Sequence, residues 1–265
     1  MIQSFGPLEL VYYDHGIAEV VLTEDRRGNP IDAAFCDAIN EASLRLEGMS
    51  GLRSVLIRAE GPSFSVGGDL KFLAADLNTT PALVLRMTTV LNGAIVRLQK
   101  LDAPLIAAIQ GACAGGMVGF VAGCDIVIAA DSARFVSAYA TIGYSCDAGA
   151  SVMLARRMGF GRARRYLLLN ERMDATSAQS AGLVDFVVCA NDLAPRSKAI
   201  AAQLAAGPTR AFGETRRLLS SAADQTLTAQ LESETLALSR VTATEDAREG
   251  INAFLEKRTP VFRGA

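Results

Sequence analysis

The chain has 265 residues, 50% of them apolar and 20% charged, which is enough to bury a large core and rules out intrinsic disorder. Its 26 Lys and Arg stand against 28 Asp and Glu, a net charge of −2 with no basic run, so a nucleic-acid backbone is excluded as the main partner. Five cysteines (Cys36, Cys113, Cys124, Cys146, Cys189) are odd in number and form no CxxC pair; they read as reduced thiols of a cytoplasmic protein, not as a disulfide framework or a zinc knuckle.

The N-terminal MIQSFGPLELVYYD has no basic region leading into an apolar one, and the C-terminal FRGA is no sorting signal. Short β-rich runs at 8–13 and 17–22 come first. An amphipathic helix follows over 32–47 with Asp32 as its N-cap, then a strand at 53–59. A longer helix runs from Pro81 to Leu101 with Pro81 in its first turn. Ala103 to Cys124 carries no charge and is long enough to span a membrane. Pro104, Gln110 and the glycines break it into PLIAAI, QGACAGG and MVGFVAGC, which read as a buried strand, a turn and a short helix, with no membrane involved. Strands recur at 125–129, 133–136 and 184–188, between helices at 148–157, 161–169 and 175–181. This interleaving predicts an α/β core with a mostly parallel sheet.

Past residue 190 the strand signal stops. Helices are expected at 191–206, 209–221, 226–241 and 244–257, so the chain divides into an α/β core (1–195) and a helical C-terminal region (196–265). That region has little core of its own and must pack on another surface.

Common catalytic signatures are missing. His15, the only histidine, sits in a DHG turn, so a Ser-His-Asp or Cys-His centre has no imidazole, and HExxH and GxxxxGK[ST] are absent. The glycines at 111, 115, 116 and 119 do not follow the GxGxxG spacing of a dinucleotide site. Two glycine turns stand out instead, Phe64-Ser65-Val66-Gly67-Gly68-Asp69-Leu70-Lys71 after one strand and Gln110-Gly111-Ala112-Cys113-Ala114-Gly115-Gly116 after another. Each can leave a backbone N–H unpaired and aimed into a cleft, and two converging donors make an oxyanion hole.

FSVGGDLKF, PLIAAIQGACAGG, GCDIVIAADSARF and AFLEKRTPVFRG together resemble the crotonase, or enoyl-CoA hydratase/isomerase, superfamily from about residue 8 to the end. The resemblance implies a crotonase-type spiral of ββα repeats with a helical C-terminal oligomerisation region, a homotrimer or hexamer, and an acyl-CoA thioester as substrate. It implies no cofactor beyond the coenzyme A of the substrate. It places the oxyanion donors at the N–H groups of Gly68 and Gly116, and substrate contacts at Val66, Arg26, Lys71, Phe254 and Lys257, the last two from a neighbouring subunit.

The two glutamates that hold water in the family's hydratases fall on Gly119 and Tyr139. One carboxylate remains nearby, Asp147, whose bare local reading is a helix N-cap. Its position in the resemblance matches the aspartate of dienoyl-CoA isomerases and the nucleophile of 4-chlorobenzoyl-CoA dehalogenase. Tyr139 then takes a tryptophan position, a candidate catalytic residue that hydrogen-bonds the substrate or lines the pocket, and Asn92 takes the place of a histidine base. The resulting expectation is an enoyl-CoA isomerase of fatty-acid type, with Asp147 as acid/base. The alternatives are an Asp147-nucleophile dehalogenase or thioester hydrolase, a hydratase, and an acyl-CoA-binding homologue with little turnover.

Overall fold

The computed structural model describes every residue, Met1–Ala265. The chain opens with an antiparallel meander, β1 (Ile2–Ser4), β2 (Leu8–Tyr12) and β3 (Ile17–Leu22). Helix α1 (Ala33–Glu47) starts where expected, with the Asp32 carboxylate accepting from the Phe35 N–H at 2.9 Å, and leads to β4 (Ser54–Ala59), parallel to β3. A one-turn α2 (Leu70–Leu73) and the long α3 (Thr80–Lys100) follow, with Pro81 in the first turn of α3.

The pattern strand, short strand, helix then runs twice. It appears first as β5 (Leu105–Ile109), β6 (Ala112–Ala114) and α4 (Gly116–Ala122), then as β7 (Ile126–Ala130), β8 (Arg134–Val136) and α5 (Ala150–Met158). Helix α6 (Phe160–Leu168), β9 (Arg172–Asp174), α7 (Ala175–Ala181) and β10 (Phe186–Val188) complete the core. The long strands form one sheet in the order β1-β2-β3-β4-β5-β7-β10, parallel from β3 onward, and the short ones a second sheet, β6-β8-β9. The uncharged 103–124 segment is therefore strand β5, the short strand β6 inside the stretch expected as a turn, and helix α4. Strands β1, β6 and β9 and helix α2 have no counterpart in the sequence reading, because three or four residues are too few to display a period.

Strands β4, β5 and β7 are almost wholly buried because both faces of the sheet are covered. Alternate side chains serve two clusters. Val55, Ile57, Leu105, Ala107 and Val127 join the main core under α1 and α3, while Leu56, Ile106, Ala108 and Ile128 meet Leu193, Ile200 and Ala201 of α8 (Leu193–Ala205). The boundary expected at 195–196 falls inside α8, which serves as the second cover of the sheet. Helix α3 is long and apolar enough to cross a membrane by length and composition, but its stripe Met87, Leu91, Ala94, Ile95 and Leu98 is buried in the main core, and the helix packs on α1.

The remaining helices, α9 (Thr209–Ser221), α10 (Leu227–Thr242) and α11 (Glu245–Leu255), bury almost nothing apolar: Ala237 and Ala253 are their only buried apolar side chains. Leu219, Leu227, Leu231, Leu238, Ile251 and Phe254 stand more than half exposed.

Because Ile200 closes the second cluster, Ile200→Ala is expected to cost roughly 2–4 kcal/mol in reversible denaturant unfolding. Lys198→Ala, on the exposed side of the same helix, should stay within about 0.5 kcal/mol. Equal losses would show that α8 is not part of the core.

Candidate active site

The two glycine turns lie side by side because the first behaves as an extra strand beside β6. Ser65 donates its N–H to the Ala112 carbonyl at 2.9 Å and accepts from the Ala114 N–H at 3.0 Å, a parallel bridge opposite Cys113. The Ser65 hydroxyl donates to the Asn29 carbonyl at 2.7 Å and accepts from the Gly67 N–H at 3.1 Å, tying the turn to the start of α1 as well. On its other edge, Ile31 N–H meets the Gly67 carbonyl and Asp69 N–H meets the Ile31 carbonyl. Gly67 has φ +82°, and a Cβ there would sit 2.8 Å from the Ala114 carbonyl oxygen, so only glycine lets the turns come this close.

An arginine straps the outside of the first turn. Arg27 donates to Asp32 at 2.8 Å and to Asp69 at 2.6 Å, joining the caps of α1 and α2. The Asp69 carboxyl lies below its ordinary range, first because it accepts the Phe72 N–H and then because of Arg27. Through this frame the Gly68 N–H takes no acceptor within the chain. Gly116, first residue of α4, likewise has no intrahelical partner for its N–H.

Both glycines line one cavity of about 300 Å³, with Val66, Tyr139 and Asp147 also in its wall. One carboxylate, Asp147, and one cation, Arg172, are its only charged lining groups. Val84, Met87, Thr88 and Leu91 of α3 form an apolar side at helical spacing. Cys36 also lines it as a neutral thiol: burial, and after it Asp32, push its pKa up to about 12.

Asp147 is not an N-cap. Gly149 caps α5 and makes no side-chain capping bond, while Asp147 Oδ1 accepts the Tyr139 hydroxyl at 2.7 Å. A Cβ on Gly116 would meet the same Oδ1 at 2.9 Å, which puts the carboxylate directly beside the second glycine turn. Oδ2 has no partner within the chain. Burial, then the charge of Asp147, holds the Tyr139 phenol well above its ordinary pKa, so it remains a donor. Tyr139 is thus more than lining, since it orients the carboxylate.

Gly119 explains why the first hydratase carboxylate has no room. Its Cα faces α5 so closely that a Cβ would lie 2.7 Å from the Ala150 nitrogen and 2.8 Å from the Ala150 Cα. The space a side chain would need is filled by helix backbone.

Other expected contacts lie elsewhere. Asn92 requires a correction: it is exposed and does not line the cavity, because it sits one turn, about 6 Å, beyond Thr88 along α3. Thr88 is the polar group α3 presents there. Arg26, Lys71, Phe254 and Lys257 are all exposed and none lines the cavity. Arg26 lies in the turn before α1, Lys71 lies in α2 at the end of the first glycine turn, and Phe254 is 81% exposed near the end of α11. His15 occupies a turn between β2 and β3, as read from sequence. Among the lining residues the sequence reading missed, the α3 stripe could have been found from its i, i+3, i+4, i+7 spacing. Asn170, in the turn after α6, and Arg172, the first residue of β9, carried no such signal.

Gly119→Ala is expected to overpack the α4–α5 contact by about 2 kcal/mol and lower the thermal midpoint by roughly 5 °C. An unchanged midpoint in calorimetry would mean that α5 can retreat and a longer side chain could be housed.

Comparison with known proteins follows the same lines. The profile of the enoyl-CoA hydratase/isomerase family matches residues 13–265. The chain is 32% identical over 256 residues to 1,2-epoxyphenylacetyl-CoA isomerase of Escherichia coli (strain K12), covering 96% of this chain and 98% of that protein. It is 30% identical over 225 residues to 4-chlorobenzoyl coenzyme A dehalogenase-2 of Arthrobacter sp, covering 84% and 82% of the two chains. The crystal structure of an enoyl-CoA hydratase from Polaromonas sp. JS666 superposes with a TM-score of 0.91 at 32% identity, covering 97% of this chain and all of that one.

Proposed function

The chain belongs to the enoyl-CoA hydratase/isomerase family and has its crotonase fold, and from that premise we propose that it shifts a double bond in an enoyl-CoA thioester, with Asp147 moving the proton. The observation that carries this reading is that the cavity holds a single carboxylate. Adding water across a double bond in this fold calls for a pair of carboxylates to hold and deprotonate it. Here the space at Gly119 is closed and Tyr139 stands at the other position.

In the proposed reaction the thioester oxygen sits between the N–H groups of Gly68 and Gly116. Asp147 Oδ2 takes a proton from the α carbon of a 3-enoyl thioester, the electron pair delocalises onto the carbonyl oxygen as a dienolate, and the Asp147 carboxyl, its proton partly exchanged with solvent, delivers a proton to the γ carbon. Each oxyanion donor contributes on the order of 3 kcal/mol, by analogy with acyl transfer. Tyr139 keeps Oδ1 occupied and so leaves the other oxygen for the substrate. No cofactor beyond the coenzyme A of the substrate enters this scheme. Arg26 and Lys71 would meet the coenzyme from the outside of the cavity, and Phe254 and Lys257 from a neighbouring subunit. With all five cysteines free, the reading is that of a cytoplasmic enzyme.

A second reading, supported by the likeness to the Arthrobacter dehalogenase, makes Asp147 a nucleophile on an aryl-CoA. Its ester would then need a base to activate water, and neither His15 nor Asn92 lines the cavity.

With 3-hexenoyl-CoA the expected product is 2-hexenoyl-CoA with little 3-hydroxyacyl-CoA, and deuterium from D2O should appear in part at the γ carbon. Asp147→Asn should lower the rate by about 10²-fold or more with an unchanged circular dichroism spectrum. Faster hydration of crotonyl-CoA than isomerisation, or full activity in Asp147→Asn, would overturn the proposal. Halide release from 4-chlorobenzoyl-CoA, lost in the same variant, would move Asp147 from base to nucleophile.

The exposed apolar side chains of α9–α11 support assembly into a homotrimer or a hexamer through residues 209–257. Light scattering at micromolar concentration is expected to give three or six copies; a monomer would contradict it.

A further inference from the structure

Tyr139 reaches Asp147 from a single short turn. The turn, Tyr139–Ile142, is entered through Ala138 at φ +62°, a left-handed conformation that a residue with a Cβ adopts at a cost. The turn is a single 3-10 turn, closed at its end by the Gly143 N–H to the Ala140 carbonyl at 3.4 Å and the Tyr144 N–H to the Tyr139 carbonyl at 3.1 Å.

One side chain holds both ends of that turn. Asn170, beyond the end of α6, accepts at Oδ1 from the Ala138 N–H at 2.6 Å and from the Ser137 hydroxyl at 3.1 Å. Its Nδ2 donates to the Thr141 hydroxyl at 2.6 Å. The amide therefore spans Ser137 to Thr141 with Tyr139 at the centre of the span. Asn170 is itself left-handed, φ +50°, a conformation that asparagine tolerates better than most residues. Although Asn170 lines the cavity, its oxygen already accepts two bonds and its nitrogen makes one, all to the turn.

We propose that Asn170 is a positioning residue: by clamping the 137–141 turn it sets the Tyr139 hydroxyl on Asp147 Oδ1 and so fixes the orientation of the carboxylate toward substrate. This inference rests on the proposed role of Asp147, and nothing in it requires Asn170 to touch the reacting atoms. It accounts for a residue that the reaction itself leaves idle, and for the strained backbone at Ala138.

Asn170→Gly isolates the amide, because glycine accepts φ +50° without strain. With 3-hexenoyl-CoA, kcat should fall about ten-fold while KM changes little, since misplacing a catalytic group by about 1 Å costs rate rather than binding. In a Tyr139→Phe background the same substitution should lower kcat by less than about two-fold, because residues acting through one contact are non-additive. A purely structural Asn170 would instead give losses that multiply. A crystal structure of Asn170→Gly supplies a readout independent of activity. The Tyr139 hydroxyl is expected to leave Asp147 Oδ1, and retention of the 2.7 Å contact would overturn the proposal, as would multiplicative losses in the double variant. Asp147→Asn separates the two ideas. Full activity there would remove the role proposed for Asp147 while the crystallographic result still decides whether Asn170 places Tyr139; loss there with multiplicative Asn170 and Tyr139 effects would remove only the Asn170 proposal.

Discussion

Ser65 sits between two backbone hydrogen bonds, one to Ala112 and one from Ala114, and the geometry of the cavity depends on that pairing. Peptide groups in a parallel bridge have fixed directions, so once Ser65 is paired, the turn that leaves it and the turn that leaves Ala114 must diverge from a common line. Gly68 and Gly116 then both lie in the wall of one cavity, each with a backbone N–H that takes no acceptor within the chain. Surrounding bonds act on this strip. Asn29 ties Ser65 to the entry of α1, Ile31 brackets Gly67 and Asp69, and Arg27 holds the two helix caps that flank the first turn. These contacts are polar and come from segments distant in sequence, so they hold both glycine turns from several sides.

The second determinant is a packing contact. Helix α4 approaches α5 with no side chain between Gly119 and Ala150, and that contact does two things at once. It removes the space in which a carboxylate could reach the cavity from α4. It also fixes the start of α5, and with it the Asp147-Ala148-Gly149 segment, whose last two residues are both left-handed, at φ +50° and +77°. The carboxylate is thereby turned off the helix end and toward Tyr139. The cavity therefore holds one acid with one phenol partner in place of a pair of acids.

Away from the cavity the strandless part of the chain has two distinct roles. Helix α8 completes the fold by covering the side chains of Leu56, Ile106 and Ile128 on the back of the sheet. Helices α9 to α11 bury two alanines between them and leave a row of leucines exposed. An apolar surface of that kind is incomplete on its own. The difference between these helices lies in what they face and not in their composition, which is why a boundary drawn where the strands stop falls inside α8.

Sequence alone determined the elements long enough to show a period, the Asp32 cap, the breaking of 103–124 at its glycines into a strand and a helix, and both glycine turns. Each of these is a local property: propensity, spacing or a conformation that only certain residues adopt. The resemblance also pointed to Gly68 and Gly116 through FSVGGDLKF and QGACAGG, and to Tyr139 and Asp147 through FVSAYATIG and CDAGASVMLARRMG, and the fold brings all four together around one cavity. Tertiary structure decided what those residues do to one another. That Asp147 accepts from Tyr139 instead of capping α5, that Thr88 and not Asn92 faces the cavity, and that Asn170 reaches back to Ser137, Ala138 and Thr141 all depend on contacts between segments remote in sequence. A hydrogen bond is directional and short, so an error of one helical turn or one left-handed residue makes or abolishes it. Periodicity in a sequence places a side chain on a face; only the packed chain sets the ångström-scale distances on which the chemistry depends.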